Sequence, residues 1–491
     1  MGDKIIYDTI IIGGGPAGYL AAERLGHHKK KVLLIEEQQL GGTCLNMGCI
    51  PTKTLLNSAK LYVHAKEAEK FGAKVDGLSY DWSAIQNWKN EVVTKLRGGV
   101  EGQMKKFGVE VLNARGEILS PPVGEKPARV RVLAPNGSAG SSGNAGTAEA
   151  IVHEGRTVLL SAGSVPALPP VPGAKDNPAV LDSTGLLAVK SVPKRLTVIG
   201  GGVIGVEFAW LFSALGAEVT VIEMMDEIVP FMDKEQAPML RRAMKGVDFK
   251  LGCKVEKIDV PAGCAAPAGC AAAVHFTAKN GKAEVKEADI VLMAVGRRPV
   301  LDTWGAAAAG IDVSPKGVAV DDRMRTNIPG VWAAGDLTGK SLLAHSAYRM
   351  AEVAVADILS VLGDDPGDGW RMRYNAIPWA VYGITEAAGV GITGREAAAK
   401  GVAVMEASLP MVFSGRFAAE NTFSAPGAIK VIADAADRRI IGVHAVGAYS
   451  PEFIWGGAAL IEQEFRIDEV KQLIFTHPTV SELIRDVVWM L

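Results

Sequence analysis

The stretch Asp8-Thr9-Ile10-Ile11-Ile12-Gly13-Gly14-Gly15-Pro16-Ala17-Gly18 decides how this chain folds. Its apolar run reads as a short buried strand, and the glycines mark a tight turn into an alanine-rich helical pattern. A second apolar run, Lys31 to Ile35, ends at Glu36. The device then recurs. Leu196-Thr197-Val198-Ile199 leads into Gly200-Gly201-Gly202-Val203-Ile204-Gly205, a helical pattern, and a strand from Glu218 to Ile222 that ends at Glu223. The spacing from first glycine to final carboxylate is the same in both copies.

Each position has a physical reason. Gly13 and Gly200 permit the tight turn, Gly15 and Gly202 let the backbone approach a pyrophosphate, and Gly18 and Gly205 let helix pack on strand. The helix N-terminus beyond each loop offers free N–H groups and a partial positive charge to that pyrophosphate. Glu36 and Glu223 are placed to accept hydrogen bonds from a ribose diol. One such loop alone could be only a turn. Two, each with strand, helix, strand and carboxylate, lead us to expect two dinucleotides. A carboxylate at Glu223 would repel a 2′-phosphate, and no arginine follows in Met224 to Asp233, so NAD is expected over NADP.

Length and composition set the frame. A chain of 491 residues has room for about three domains. With 48% hydrophobic residues and a net charge of −2, it lacks the basic footprint of a nucleic-acid or anionic-membrane binder. The longest uncharged stretch, Val260 to Ala278, is broken by Pro261, Pro267 and glycines and does not read as a membrane helix. The N-terminal run reads as a strand and not as a signal peptide, so a cytoplasmic protein is expected. The cysteines, Cys44, Cys49, Cys253, Cys264 and Cys270, are too few and too unevenly placed for a disulfide framework. The Ala134–Ala148 stretch and the Pro261–Ala273 tract read as loops, the latter with Cys264 and Cys270 as incidental thiols or a second redox pair.

Directly after the first device comes Gly41-Gly42-Thr43-Cys44-Leu45-Asn46-Met47-Gly48-Cys49-Ile50-Pro51-Thr52-Lys53. Four residues separate the cysteines, so one helical turn can bring both sulfurs onto one face. Attachment to the first nucleotide unit puts them near its reactive ring. Lys53, one turn beyond Cys49, can stabilise a thiolate or a reduced flavin. Two buried thiols or half a zinc site remain open, although zinc needs two further ligands that no suitably spaced Cys/His set supplies. Near the other end stands Phe475-Thr476-His477-Pro478-Thr479-Val480-Ser481-Glu482. Pro478 keeps His477 out of a helix, histidine titrates near neutrality, and Glu482 on the following turn could hold its ring. Alone, such a histidine would read as structural. Beside a cysteine pair it reads as an acid–base group. His345 and His444 are expected to pack or bond locally, and His27 and His28 to end a solvated helix.

Gly41 to Lys53 resembles the redox-active segment of the flavoprotein disulfide reductases, the FAD-dependent pyridine nucleotide–disulfide oxidoreductases, and the resemblance covers almost the whole chain in the family's order. It implies an α/β fold with two Rossmann-like dinucleotide-binding domains, for FAD and NAD, and a C-terminal α+β dimerisation domain. The boundaries we expect are 1–160 for the FAD domain, 161–285 for the NAD domain, 286–355 for a central segment completing the FAD site, and 356–491 for the interface domain. Thr326 to Asp336 resembles the second FAD segment, with Asp336 on the ribityl chain, and Leu342-Leu343-Ala344-His345 the stretch beside the flavin. Implied FAD contacts are Gly13, Gly15, Gly18, Glu36, Gly42, Thr43, Lys53, Gly116, Gly335, Asp336, Leu343 and Ala344. Those for NAD are Gly200, Gly202, Gly205, Glu223 and Gly296, the last in the return strand Val295-Gly296-Arg297-Arg298-Pro299. No metal site is implied.

The resemblance also pairs Glu207 with Lys53 beneath the flavin. It brings His477 and Glu482 to Cys44 and Cys49 of the other subunit, which implies an obligate homodimer. Within the group it points to members that oxidise dihydrolipoamide with NAD, the dithiol being carried on the lipoyl protein of a 2-oxoacid dehydrogenase or glycine cleavage complex. A reductase of another low-molecular-weight disulfide is the alternative within the class. A structural flavoprotein subunit of a larger complex is the alternative outside it. Ser161-Ala162 departs from the usual pattern in a way that changes a local hydrogen bond only, whereas the departures at Ser346, Tyr348, Phe475 and the Ala448–Glu452 stretch bear on which disulfide enters.

Overall fold

A computed structural model describes residues 5–133, 151–259, 272–364 and 369–491. The Ala134–Ala148 stretch, and Cys264 and Cys270 in the other loop, lie outside the described residues. The chain forms two compact units. The first comprises Met1–Thr52, Asn87–Ala167 and Arg297–Met372, and the second Lys53–Gln86, Leu168–Gly296 and Arg373–Leu491.

In the first unit, strand Ile6–Ile12 is flanked in parallel by Val32–Glu36 and Ile151–Leu160, with Ile12 opposite both Ile35 and Leu160. Glu110–Asn113 and Val331–Ala333 add further parallel strands, whereas Arg115–Ser120 and Ala128–Leu133 run antiparallel. Ile10 and Ile11 are 0% exposed, because the central strand is covered on both faces. That double burial is why its apolar run does not alternate. Helix Pro16–His27 buries Ala17, Gly18, Ala21, Ala22 and Leu25 and packs against helix Ala344–Val361.

The second unit repeats the arrangement. A parallel sheet runs in the order Val247–Leu251, Glu218–Glu223, Arg195–Ile199, Ile290–Met293, Val180–Leu181. Helix Val203–Ala214 follows its glycine loop and is buried from Gly205 through Phe212. A three-stranded antiparallel sheet, Lys254–Asp259 with Ala272–Thr277 and Ala283–Ala288, accompanies it. The C-terminal part is a five-stranded antiparallel sheet ordered Trp379–Val381, Ala387–Gly391, Ile440–Val446, Ala428–Asp434, Val404–Pro410. Helices Ser450–Glu462 and Glu482–Val488 cover it and close a core of Val431, Val443, Ile454, Leu483 and Val487. Among the described residues no helix is long and apolar enough to cross a membrane.

The glycine loops share one geometry. Gly13 and Gly200 have φ of +103° and +106°. A Cβ on Gly18 would stand 1.8 Å from the Gly13 carbonyl oxygen, and one on Gly205 would stand 2.0 Å from that of Gly200. No side chain fits, so helix and strand approach as closely as backbone allows. Gly205→Ala should therefore destabilise the protein by about 1–3 kcal/mol, the usual range for overpacking. Denaturant unfolding measures this, and an unchanged midpoint would contradict the close approach.

Candidate active site

Both strand-end carboxylates are held by their own loops. Glu36 accepts from the Gly14 amide at 2.6 Å and the Gln38 amide at 2.7 Å. Glu223 accepts from Gly201 at 2.5 Å and Met225 at 2.7 Å. Burial pushes the Glu36 carboxyl up, and the two amides oppose it. Each carboxylate keeps lone pairs for a ribose. The cradles fit a bound dinucleotide: a Cβ on Gly202 or Gly296 would meet nothing within 4 Å, and one on Gly15 only the Gly42 Cα at 3.9 Å.

Further residues expected at the FAD site gather in the first unit. Gly335 and Asp336 follow strand Val331–Ala333, and Asp336 Oδ2 accepts from Ser164 Oγ at 2.5 Å. Arg297 donates to Ser164 Oγ at 2.8 Å, to its carbonyl at 2.7 Å, and to Thr43 Oγ1 at 3.3 Å. Burial raises the Asp336 carboxyl, against the pull of Ser164 and Arg297. Leu343 caps and Ala344 opens helix Ala344–Val361. Gly116 lies under the central strand, where a Cβ would be 3.2 Å from Ile12 Cγ1. In the sequence Arg297 reads only as part of a return strand. Its polar partners are far away in sequence, so no local pattern announces them.

The cysteine segment departs from the one-turn expectation. Cys44 lies in helix Gly42–Met47, the chain breaks at Gly48 with φ −146° and ψ −108°, and Cys49 opens helix Cys49–Glu67. The pair is thus carried on two successive helices, because Gly48 tolerates a backbone that ends the first. Cys44 is partly buried and Cys49 exposed. Among the described residues no group of three His, Cys, Asp or Glu side chains is placed to hold a metal ion.

In the second unit Lys53 Nζ meets Glu207 Oε1 and Oε2 at 2.9 and 2.8 Å. Glu207 is 3% exposed, accepts the Tyr382 amide at 3.1 Å, and Lys53 lies 4.7 Å from the centre of the Tyr382 ring. A buried carboxylate with an ammonium and an amide on it is a paired charge, which is how burial is tolerated.

His477 Nδ1 lies 3.0 Å from Glu482 Oε1 and 3.2 Å from Oε2. The two differ in setting: His477 is 82% exposed at its side chain and Glu482 12%. Burial would raise the Glu482 carboxyl, but the Thr479 amide at 2.8 Å, His477 and Arg485 together hold it below its usual range. Helix Glu482–Val488 starts several residues after Pro478. Nδ1 engaged by a carboxylate leaves Nε2 outward for proton exchange. Of the other histidines, His444 is fully buried with Nε2 2.9 Å from the Ile392 carbonyl, while His345 is exposed near the start of its helix. His27 and His28 are exposed at a helix end, as expected.

A fold that builds the same nucleotide cradle in two units, and continues from the first directly into a cysteine pair, defines a dinucleotide-linked disulfide oxidoreductase. The pyridine nucleotide-disulphide oxidoreductase family model matches residues 7–351, and the dimerisation domain of that family matches 377–488. The chain belongs to this family, and FAD and NAD are its cofactors. It is 35% identical to a dihydrolipoyl dehydrogenase of Bacillus subtilis over 97% of its length and 96% of that protein's. To one of Thermus scotoductus it is 36% identical, covering 97% and 95%. Among solved structures, the HOCl-induced flavoprotein disulfide reductase RclA of Escherichia coli aligns with a TM-score of 0.81 at 28% identity, covering 99% of this chain and 100% of that one. LpdA of Mycobacterium tuberculosis aligns at 0.84 and 25%, covering 99% of each.

The depressed Glu482 carboxyl sets a pH signature. Its contribution to stability is complete above the ordinary glutamate value of 4.5 and is lost as pH falls through its lower folded value. Unfolding midpoints of wild type and Glu482→Gln should therefore converge below about pH 4.5. A gap that stays constant from neutral to strongly acid pH would contradict this.

Proposed function

We propose that the protein oxidises dihydrolipoamide to lipoamide with reduction of NAD, as a cytoplasmic homodimer, through a Cys44/Cys49 redox disulfide and a His477/Glu482 acid–base pair. The observation that carries the reading is the His477–Glu482 contact in a chain that also holds both cysteines, supported by the names of the relatives above. We assign 1–160 to FAD, 161–285 to NAD, 286–355 to completing the FAD site and 356–491 to the interface. Gly13, Gly15, Gly18, Glu36, Gly42, Thr43 and Asp336 would hold FAD, and Gly200, Gly202, Gly205 and Glu223 would hold NAD. FAD and NAD, when bound, supply the two-electron acceptors that reoxidise the cysteines.

The chain's own part is thiol–disulfide exchange. His477 of one subunit takes the proton of a substrate thiol, with Glu482 stabilising the imidazolium that forms. The resulting thiolate attacks the Cys44 sulfur, the Cys44–Cys49 bond breaks, and Cys49 leaves as a thiolate. The second substrate thiol then attacks the sulfur bonded to Cys44, closing the substrate disulfide and releasing Cys44. The substrate loses two electrons, which the cysteine pair gains, and two protons, which His477 takes in turn and passes to solvent. Lys53, paired with Glu207, provides positive charge one turn from Cys49, where the thiolate is left. The dithiol would arrive on the lipoyl-carrier protein of a 2-oxoacid dehydrogenase or glycine cleavage complex.

A second reading, reduction of another low-molecular-weight disulfide, is favoured by Phe475 and Tyr348 at positions that depart from the usual pattern, and by the likeness to a reductase of different name. NAD reduction by FAD-loaded protein with dihydrolipoamide, run beside NADP, separates the two. Turnover with NAD alone is expected. Cys44→Ser or Cys49→Ser should abolish it, and His477→Gln should lower it by about 10²–10⁴-fold. If NADH reduces the flavin but dihydrolipoamide is not used, another disulfide is the substrate.

A further inference from the structure

The first unit places a pair of phenols beside the cysteines. Tyr19 lies one turn into helix Pro16–His27, and Tyr348 one turn into helix Ala344–Val361. These helices pack together, and Gly335 sits between Ala17 and Ala347 at their start. The two hydroxyl oxygens are 2.5 Å apart, with the rings edge to face at 6.0 Å. The cysteine helix starts against the same turn, since a Cβ on Gly42 would stand 2.6 Å from the Gly15 Cα. The Cys44 sulfur accordingly acts on both hydroxyls, and that of Cys49 on Tyr348. Glu23, one turn along from Tyr19, is the other acidic group acting on that hydroxyl.

Two phenols joined by one hydrogen bond carry two protons. One bridges the oxygens. The other is left to donate elsewhere. Both rings are partly buried, and burial raises both hydroxyls, so the pair stays neutral over the working range of a thiol. A neutral O–H donor beside a sulfur favours its thiolate without bringing a charge of its own. Histidine could not do this steadily, because it titrates in the same range.

We propose that Tyr348, hydrogen-bonded to Tyr19, is a positioning residue for Cys44, the phenol pair turning its spare O–H toward that sulfur and stabilising the thiolate released during exchange. This rests on the reading of Cys44 as the cysteine attacked by substrate. The pair acts as one unit, so removing either hydroxyl removes the arrangement.

The test is iodoacetamide labelling of the dithiothreitol-reduced, FAD-loaded protein across pH, with Cys44 and Cys49 followed separately by peptide mass spectrometry. In Tyr348→Phe the midpoint for Cys44 should rise by about one unit, giving about tenfold slower labelling at pH below both midpoints. Tyr19→Phe should shift it the same way, and the double variant no further than Tyr348→Phe. Wild-type and Tyr348→Phe profiles that superimpose, with Tyr19→Phe unchanged as well, overturn the proposal. Wild-type Cys44 that labels equally before and after reduction instead removes the redox pair on which the proposal stands.

Discussion

The structure depends on a place where no side-chain atom can stand. The carbonyls of Gly13 and Gly200 occupy the space that a Cβ at Gly18 or Gly205 would need. Each helix therefore begins immediately beneath the end of its strand, and its unpaired N–H groups face the loop mouth. Pro16, which lacks an N–H, costs nothing at the first helical position. The cysteine segment inherits the same tight geometry, because Gly42 packs on Gly15 with no room for side chains on that face of Gly42. The cysteine segment is thus positioned by glycine contacts and not by the cysteines themselves.

The parts of the fold that were legible are those written in short range. Strand, loop, helix and carboxylate of each nucleotide unit fall within one local pattern, and Glu482 is close enough to His477 in sequence for a turn to join them. The cysteine spacing was also legible but misled about its setting. Four intervening residues suit one helical turn, yet Gly48 ends one helix before Cys49 starts another. What local reading missed is long-range: Arg297 with Ser164 and Thr43, and Tyr19 with Tyr348. Neither partner carries a marker of the other. Glu207 was unremarkable as a helix residue, and only resemblance paired it with Lys53.

The two charged pairs differ in how they treat water. Lys53 and Glu207 form a pair whose carboxylate is buried and met by a backbone amide, with an aromatic face beside the ammonium. His477 and Glu482 are split across the surface, with the carboxylate sheltered and the imidazole in solvent. The Thr479 amide, the His477 ring and Arg485 hold the Glu482 carboxyl below its usual range, against the effect of its burial.

The two nucleotide cradles share their turn geometry and their close helix–strand contact, yet the two cofactors are used differently. NAD is a co-substrate and must leave at every turnover, whereas FAD serves as a resident group. Residence time therefore cannot be set by the glycine loop or the strand-end carboxylate, which both sites share. The first unit adds the Val331–Ala333 strand, the Asp336–Ser164–Arg297 network and its reach to Thr43. On the proposed assignment of FAD to the first unit, that added segment is what would distinguish a resident group from one that exchanges.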